Sequence, residues 1–256
     1  MEHDHGPFGR RLRRWRSGPL SVPGDLTRMV TVMGEVAIAY AGSRARITAL
    51  VGGIDREHAS TMVPTCPEWC VHDVISHLAG GVADALSGNL EGLGSEEWTA
   101  AQVDARREHS TADVLTEWNT NAPLLERFLD PAGMLGRQAV ADIVSHEHDI
   151  RTALSIRDAR DSDAVRIGLG FAATKLVESA SEHGVALRLR STEGLDLGPE
   201  SADVTLTASS FELLRAATGR RNVDQLREMD WDGDVDAVIP SFWWGPLHPS
   251  EKRIDE

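Results

Sequence analysis

The loop and helix at residues 64–79 decide the fold of this chain, and they read PTCPEWCVHDVISHLA. Pro64 and Pro67 fix a loop, because each proline restricts its own backbone and that of the residue before it. From about Val71 onward apolar residues recur at helical spacing, so a helix follows the loop. His77 lies among these apolar positions. A single histidine there is more often a hydrogen-bonded core residue than a metal ligand, so His77 needs a partner to indicate a site.

The same periodicity predicts three further long helices. Ser110, with Asp113 three residues later, has the arrangement of a capping box before an apolar stripe. The four principal helices are expected at about residues 32–52, 71–85, 110–129 and 137–154, with a shorter one at 96–107. Four such helices before residue 157 indicate an antiparallel four-helix bundle.

The pattern changes after residue 157. A helix at about 163–182 is followed by two stretches, 185–190 and 203–207, in which apolar and polar residues alternate as in strands. A capped helix at 209–217 comes next. We therefore expect an α+β protein in which a helical bundle, residues 31–157, precedes a small C-terminal α/β domain, residues 158–256.

The N-terminal residues differ from the rest in charge. The first 28 residues hold six arginines against three acids, within a Gly/Pro-containing segment. Such a composition is typical of a disordered tail, so residues 1–30 are predicted to be a disordered basic extension.

Composition excludes several classes of protein. The formal charge is −14, which argues against a nucleic-acid-binding surface. No apolar run approaches the length of a transmembrane helix. The only cysteines are Cys66 and Cys70, too few for a disulfide framework. A cytoplasmic monomer or small homo-oligomer is expected, and the scarcity of lysine suggests a GC-rich genome.

A cluster of metal-competent side chains lies in the fourth long helix, at residues 142–149. At about 100° per residue, Asp142, His146 and Asp149 share one face, whereas Glu147 and His148 point elsewhere. Polar groups turned into a bundle core need partners, and a metal uses imidazole and carboxylate together. A solvated ion pair between Asp142 and His146 explains the spacing equally well.

His77 completes a possible ligand set with Asp142 and His146. Two imidazoles and one carboxylate, supplied by two helices, form a three-ligand site that leaves coordination positions open. This pairing is what makes His77 a candidate ligand.

The motifs resemble a known family. Residues 64–79 are similar to the signature tPCPGWtvrDvvaHla of the mycothiol-dependent maleylpyruvate isomerase family, with Glu68 in place of the glycine. Residues 142–149 resemble the family's second signature, Glu-x3-His-x-Trp-Asp, and residues 202–221 resemble part of its small C-terminal domain. The resemblance covers about residues 33–245. It implies a DinB-like bundle followed by a sterol-carrier-protein-like α/β domain.

The resemblance also implies a site and an activity. It places a zinc-like divalent ion on His77, Asp142 and His146, with Asp142 standing where the family has glutamate. Mycothiol would be the thiol cosubstrate, and a small electrophile the substrate of isomerisation or transfer. An acidic substrate needs a cationic partner, for which Arg220 is the catalytic candidate; a helix-terminal surface arginine is the alternative. The alternative function is a non-catalytic metal- or ligand-binding module.

Overall fold

The N-terminal half of the chain is helical. A computed structural model of the protein describes residues 33–256, so the predicted extension at residues 1–30 lies outside the described part. The helices of this half are α1 (Glu35–Val51), α2 (Arg56–Ala59), α3 (Val71–Ser87), α4 (Glu96–Asp104), α5 (Thr111–Leu129) and α6 (Met134–Ala153).

Hydrogen bonds to side chains define where these helices begin. The Ser110 hydroxyl accepts the backbone N–H of Asp113 at 3.2 Å, so the predicted cap of α5 is present. The start of α1 is capped from another helix end, because the Asp130 carboxylate accepts the N–H groups of Gly34, Val36 and Ala37. This bond network ties α1 to the connection between α5 and α6.

The segment before α3 differs from its prediction as a loop. It forms a short antiparallel hairpin of β1 (Met62–Val63) and β2 (Cys66–Cys70). Val63 pairs with Cys66, so Pro64 and Thr65 form the turn. Pro67 is tolerated because a two-stranded hairpin leaves an edge on each strand where no N–H is required.

The long helices pack on a shared apolar core. Helix α3 lies against α5, and α1 lies against both α5 and α6. Fully buried side chains on three of these helices fill the space between them: Val74, Ile75, Trp118, Ile143 and Val144. Burial on this scale stabilises the bundle by roughly 1.5–3 kcal/mol for each large apolar side chain.

The C-terminal half combines helices with a small sheet, so the predicted α+β class is confirmed. Its elements are α7 (Asp163–Glu182), β3 (Leu187–Ser191), β4 (Asp196–Leu197), β5 (Val204–Ala208), α8 (Ser210–Ala217), α9 (Val223–Arg227), β6 (Asp230–Asp232), α10 (Val235–Val238) and a 3-10 turn (Ile239–Phe242). The strand order is β4-β3-β5-β6, with β3 and β5 parallel and the outer strands antiparallel.

Helix α7 joins the two halves by packing against α6 on one side and α8 on the other. Residues 33–256 group as one compact unit, and the proposed domain division at residues 157–158 stays a prediction.

Within residues 33–256, no helix is both long and apolar enough to cross a membrane.

The contact of α7 with α6 depends on Gly168, which has no side chain. A Cβ at Gly168 would lie 2.9 Å from Val144 Cγ1 and 3.0 Å from the Cα of Ala141, which directly precedes Asp142. At Gly170, in the same helix, an added Cβ would meet no atom within 4 Å. Of these two glycines, only Gly168 is therefore required for the close packing of α7 on α6.

These two glycines should respond oppositely to alanine. Gly168→Ala should lower the free energy of unfolding by about 1–3 kcal/mol, because backbone atoms of α6 cannot move aside cheaply. Gly170→Ala should raise it by up to about 1 kcal/mol through helix propensity. Urea denaturation of both variants measures the difference, and equal effects would contradict the packing described here.

Candidate metal centre

Three side chains converge between α3 and α6. His77 comes from α3, and Asp142 and His146 come from α6 one turn apart. One ligand atom from each lies within 4.8 Å of the others. The Nε2 atoms of His77 and His146 are each 3.6 Å from the same oxygen, Oδ1 of Asp142. The structure thus brings the three predicted residues together.

The imidazole of His77 is held by a relay from α4. Gln102 Nε2 donates to Asp84 Oδ2 at 2.7 Å, and because a carboxylate only accepts, this bond fixes the orientation of the amide. Gln102 Oε1 therefore faces His77 Nδ1, at 2.8 Å. Nδ1 must donate this bond, which leaves Nε2 facing Asp142.

His146 lies against a carboxylate. Its Nδ1 is 3.0 Å from Asp149 Oδ2, although the ring is turned away from ideal hydrogen-bond alignment. Nε2, on the other side of the ring, faces Asp142 and is the atom placed to act as a ligand. A carboxylate behind a histidine in this way orients the ring and raises its basicity as a metal ligand.

Asp149 is itself fixed by two arginines of the C-terminal half. Arg215 Nη2 donates to Oδ1 at 2.8 Å, and Arg220 Nη2 donates to Oδ2 at 2.7 Å. Asp149 and Arg215 are fully buried. Burial raises the pKa of Asp149, but the two guanidiniums outweigh that effect and hold it well below its usual range. The carboxylate behind His146 is therefore permanently ionised.

Asp142 provides the negative charge of the site. Its side chain is 48% exposed, while those of the two histidines are nearly buried. Partial removal of the carboxylate from water acts to raise the pKa of Asp142, but His77, His146 and the charge of Arg220 lower it to about 2. For His77, burial disfavours the charged ring, yet Asp142 and Gln102 raise its pKa overall. The exposed side of Asp142 is the direction from which solvent reaches the site.

Aromatic rings border the two histidines. The Trp69 ring centroid, at the end of the hairpin, is 5.2 Å from that of His77 and 6.0 Å from that of His146. Trp98 of α4 approaches His77 edge-on, at 6.4 Å. These rings restrict the imidazoles further and give the site an apolar rim.

Glu147 and His148 point away from the centre, as their helical positions predict. Both carboxylate oxygens of Glu147 accept bonds from Arg46 of α1 at 2.7 Å, and Arg151 also donates to Glu147. The His148 ring packs against Phe211 with centroids 4.8 Å apart. Neither residue belongs to the ligand set.

A second metal-competent group overlaps the first. Cys66, His146 and Asp149 also lie within ligand distance of one another. Burial, reinforced by Asp149, raises the pKa of Cys66 to about 11, so its sulfur remains a protonated thiol. The carboxylate of Asp149 is already bound by two arginines. His77, Asp142 and His146 are therefore the better donor set.

Arg220, the candidate for binding an acidic substrate, is buried. Its Nη1 donates to the Thr218 carbonyl at 2.6 Å, while Nε and Nη2 face Asp149. Its charge acts on both His77 and Asp142. Arg220 is thus adjacent to the centre, and its role toward a substrate stays a prediction.

Four contributing residues were not predicted from the sequence: Asp84, Gln102, Arg215 and Glu256. The side chain of Glu256 accepts from Arg215 Nε at 3.0 Å and from Arg221 Nη1 at 3.1 Å, so it completes the charge balance behind Asp149. Of these four, only Arg215 could have been noticed in the sequence, as a charged residue within the apolar run of α8.

The donor set suits a divalent metal. Two imidazole nitrogens and one carboxylate oxygen are ligands that zinc accepts, and two ligands at tetrahedral angles are separated by about 3.4 Å for bond lengths of about 2.0–2.1 Å. The observed 3.6 Å from Asp142 Oδ1 to each Nε2 is close to this spacing. Aspartate therefore reaches both histidines despite being shorter than the glutamate of the family motif.

Fold and site together define a class: a helical bundle with a two-histidine, one-carboxylate centre, followed by a small α/β region. Residues 40–151 match the model of the mycothiol maleylpyruvate isomerase N-terminal domain, somewhat less than half of the chain. This part of the chain is thus similar to the N-terminal domain of that family. No curated protein matches.

Two solved structures resemble the chain. A histidine-to-alanine mutant of the mycothiol-dependent maleylpyruvate isomerase is 11% identical, with a TM-score of 0.51. A second structure of that isomerase is 12% identical, with a TM-score of 0.47. Each likeness covers 73% of this chain and 88% of the other. At such identity the first likeness shows a shared fold.

The relay through Gln102 can be tested by removing its acceptor. Gln102→Met should weaken zinc affinity about 10–100-fold, because the His77 ring loses the bond that fixes its tautomer and orientation. Glu97→Met, at an exposed position of the same helix, should leave the affinity unchanged. Competition with a chromogenic chelator measures both. Unchanged affinity in the Gln102 variant would show that the relay does not orient the ligand.

Proposed function

We propose that the chain is a metal-dependent enzyme that activates a low-molecular-weight thiol, mycothiol, for isomerisation of a small electrophile or for transfer to it. The observation that carries this proposal is the convergence of His77, Asp142 and His146, with both Nε2 atoms 3.6 Å from one carboxylate oxygen. The match of residues 40–151 to the model of the mycothiol maleylpyruvate isomerase N-terminal domain supports the choice of thiol. Zinc is the proposed metal, and the cytoplasm the proposed location.

Each residue of the centre has a distinct part in this chemistry. His77 and His146 present their Nε2 atoms, because Gln102 and Asp149 face Nδ1 on the opposite side of each ring. Asp142 supplies charge and borders the open side. When bound there, a divalent cation lowers the pKa of a thiol from about 8.5 toward neutrality, which supplies a thiolate.

The reaction class follows from what a thiolate does. It adds to one carbon of an electrophilic double bond, the resulting single bond rotates, and the thiolate leaves again as the double bond reforms. The thiol is regenerated and the substrate changes only from cis to trans. Displacement of a leaving group by the same thiolate would instead give conjugation.

Arg220 is proposed to bind the anionic group of an acidic substrate. Its contacts with Asp149 and Thr218 use Nε and one N–H on each terminal nitrogen, which leaves one further N–H on each. Asp149 also fixes the guanidinium in place, so it is ordered before a substrate binds.

A second candidate is a non-catalytic metal- or ligand-binding module of the same fold. The observation in its favour is Asp142, which stands where the family motif has glutamate. The two candidates predict the same metal site and differ in whether mycothiol-dependent turnover occurs.

Metal content of ligand variants tests the centre itself. His77→Ala and His146→Ala should each lower zinc affinity by more than tenfold, since each removes one of three protein ligands. His58→Ala, an exposed histidine of α2, should retain zinc as the unchanged protein does. Elemental analysis after dialysis against a weak chelator measures retention. Full retention in both ligand variants would remove the proposed centre.

Thiol activation is tested by spectroscopy of the cobalt-substituted protein. Adding mycothiol should change the visible spectrum of the unchanged protein, and should leave a cobalt-treated His146→Ala sample unaffected. If mycothiol left the visible spectrum of the unchanged protein as it was, thiolate activation would be contradicted. Where the spectrum does respond, an assay of maleylpyruvate isomerisation separates the candidates, because only the enzyme turns over.

A further inference from the structure

A polar cavity lies on the far side of α6 from the metal centre. Its volume is about 80 Å³. It lies between the end of α6, the segment up to Arg160, Phe211 of α8, and Asp255 with Glu256. His148, which lines it, is about 200° around the helix from His146. The cavity therefore shares no ligand with the proposed metal centre.

Arginines dominate the lining of this cavity. Arg151, Arg157 and Arg160 all contribute to it. Arg151 is bound by Glu147 and Asp158. Among residues 33–256, by contrast, no carboxylate lies within salt-bridge distance of Arg157 or Arg160. Two guanidiniums thus line the cavity without a carboxylate partner.

The acids at the rim are occupied by other cations. Glu256 is bound by Arg215 and Arg221, and Asp255 lies 3.6 Å from Arg253. Neither carboxylate therefore pairs with Arg157 or Arg160. In a chain with a formal charge of −14, a cavity lined by arginines without carboxylate partners is suited to an anionic occupant.

His148 offers a hydrogen-bonding group in the wall of the cavity. Its buried Nε2 has no hydrogen-bond partner within the described part of the chain. An imidazole N–H can donate a bond to an anion.

The wall of the cavity is preformed. The Cζ of Arg160 lies 4.5 Å from the centroid of the Phe211 ring, a cation–π contact that holds the guanidinium in position. Ser155 and Ala159 both adopt a φ of 57°, in the left-handed region that residues other than glycine avoid. The segment carrying Arg157 is therefore held in a particular shape by its surroundings.

We infer that this cavity is a binding site for a small oxyanion, a carboxylate or phosphate group held by Arg157 and Arg160 against the Phe211 ring. Guanidinium groups bind both kinds of oxyanion through paired N–H donors. The volume of about 80 Å³ exceeds the roughly 10–15 Å³ that one water needs, and is far below the ~300 Å³ at which pockets for drug-sized ligands begin. The occupant is therefore a small ion or the anionic end of a small molecule.

Isothermal titration with sodium acetate and with sodium phosphate tests this site, with sodium chloride used to hold ionic strength constant. The unchanged protein should bind at least one of the two anions saturably, and the tighter anion identifies the preferred group. Arg157→Gln/Arg160→Gln should weaken that binding at least tenfold. Arg127→Gln, an exposed arginine of α5 without a carboxylate partner in residues 33–256, should not.

Two further measurements keep the outcome decisive. The far-UV circular dichroism spectrum and the melting temperature of the double variant should equal those of the unchanged protein, which shows that it folds. Arg157→Lys/Arg160→Lys should recover part of the affinity, because the charge returns without the paired geometry. Absence of saturable binding to either anion, unchanged binding in the double glutamine variant, or an equal loss in Arg127→Gln would overturn the inference.

Discussion

The carboxylate of Asp149 is the group on which the arrangement of this protein depends. It lies fully buried between His146 of the same helix and the guanidiniums of Arg215 and Arg220 from the C-terminal half. A buried carboxylate is costly unless cations and hydrogen-bond donors surround it, and here they come from both halves. The C-terminal residues therefore contribute to the centre by fixing the partner of a ligand, at a distance from the ligand atoms themselves.

The two histidines show how a bundle orients ligands. Each ring has one nitrogen facing an acceptor, Gln102 Oε1 for His77 and Asp149 Oδ2 for His146, and the other facing Asp142. One acceptor comes from α4 and the other from α6, so the two rings are oriented by different residues. The result is two Nε2 atoms and one carboxylate oxygen grouped as the donor set of a divalent cation.

Local sequence signals predicted the helices and the shared face of Asp142 and His146, and the family resemblance added His77 to them as a ligand set. Apolar periodicity and the Ser110 cap are local properties, and the phase of α6 follows from spacing alone, which is why Asp142 and His146 were separated correctly from Glu147. The residues that position the centre could not be predicted in this way. Gln102 and Arg215 meet their partners only through tertiary packing, and the short strands β4 and β6 lack the length that makes alternation visible.

X-ray absorption spectroscopy of the zinc-loaded protein tests the central claim most directly, because it distinguishes the two overlapping donor groups by element. A centre formed by His77, Asp142 and His146 predicts a first shell of nitrogen and oxygen at about 2.0–2.1 Å, with imidazole scattering and no sulfur. A sulfur shell at about 2.3 Å would place the metal on Cys66 instead and contradict the account.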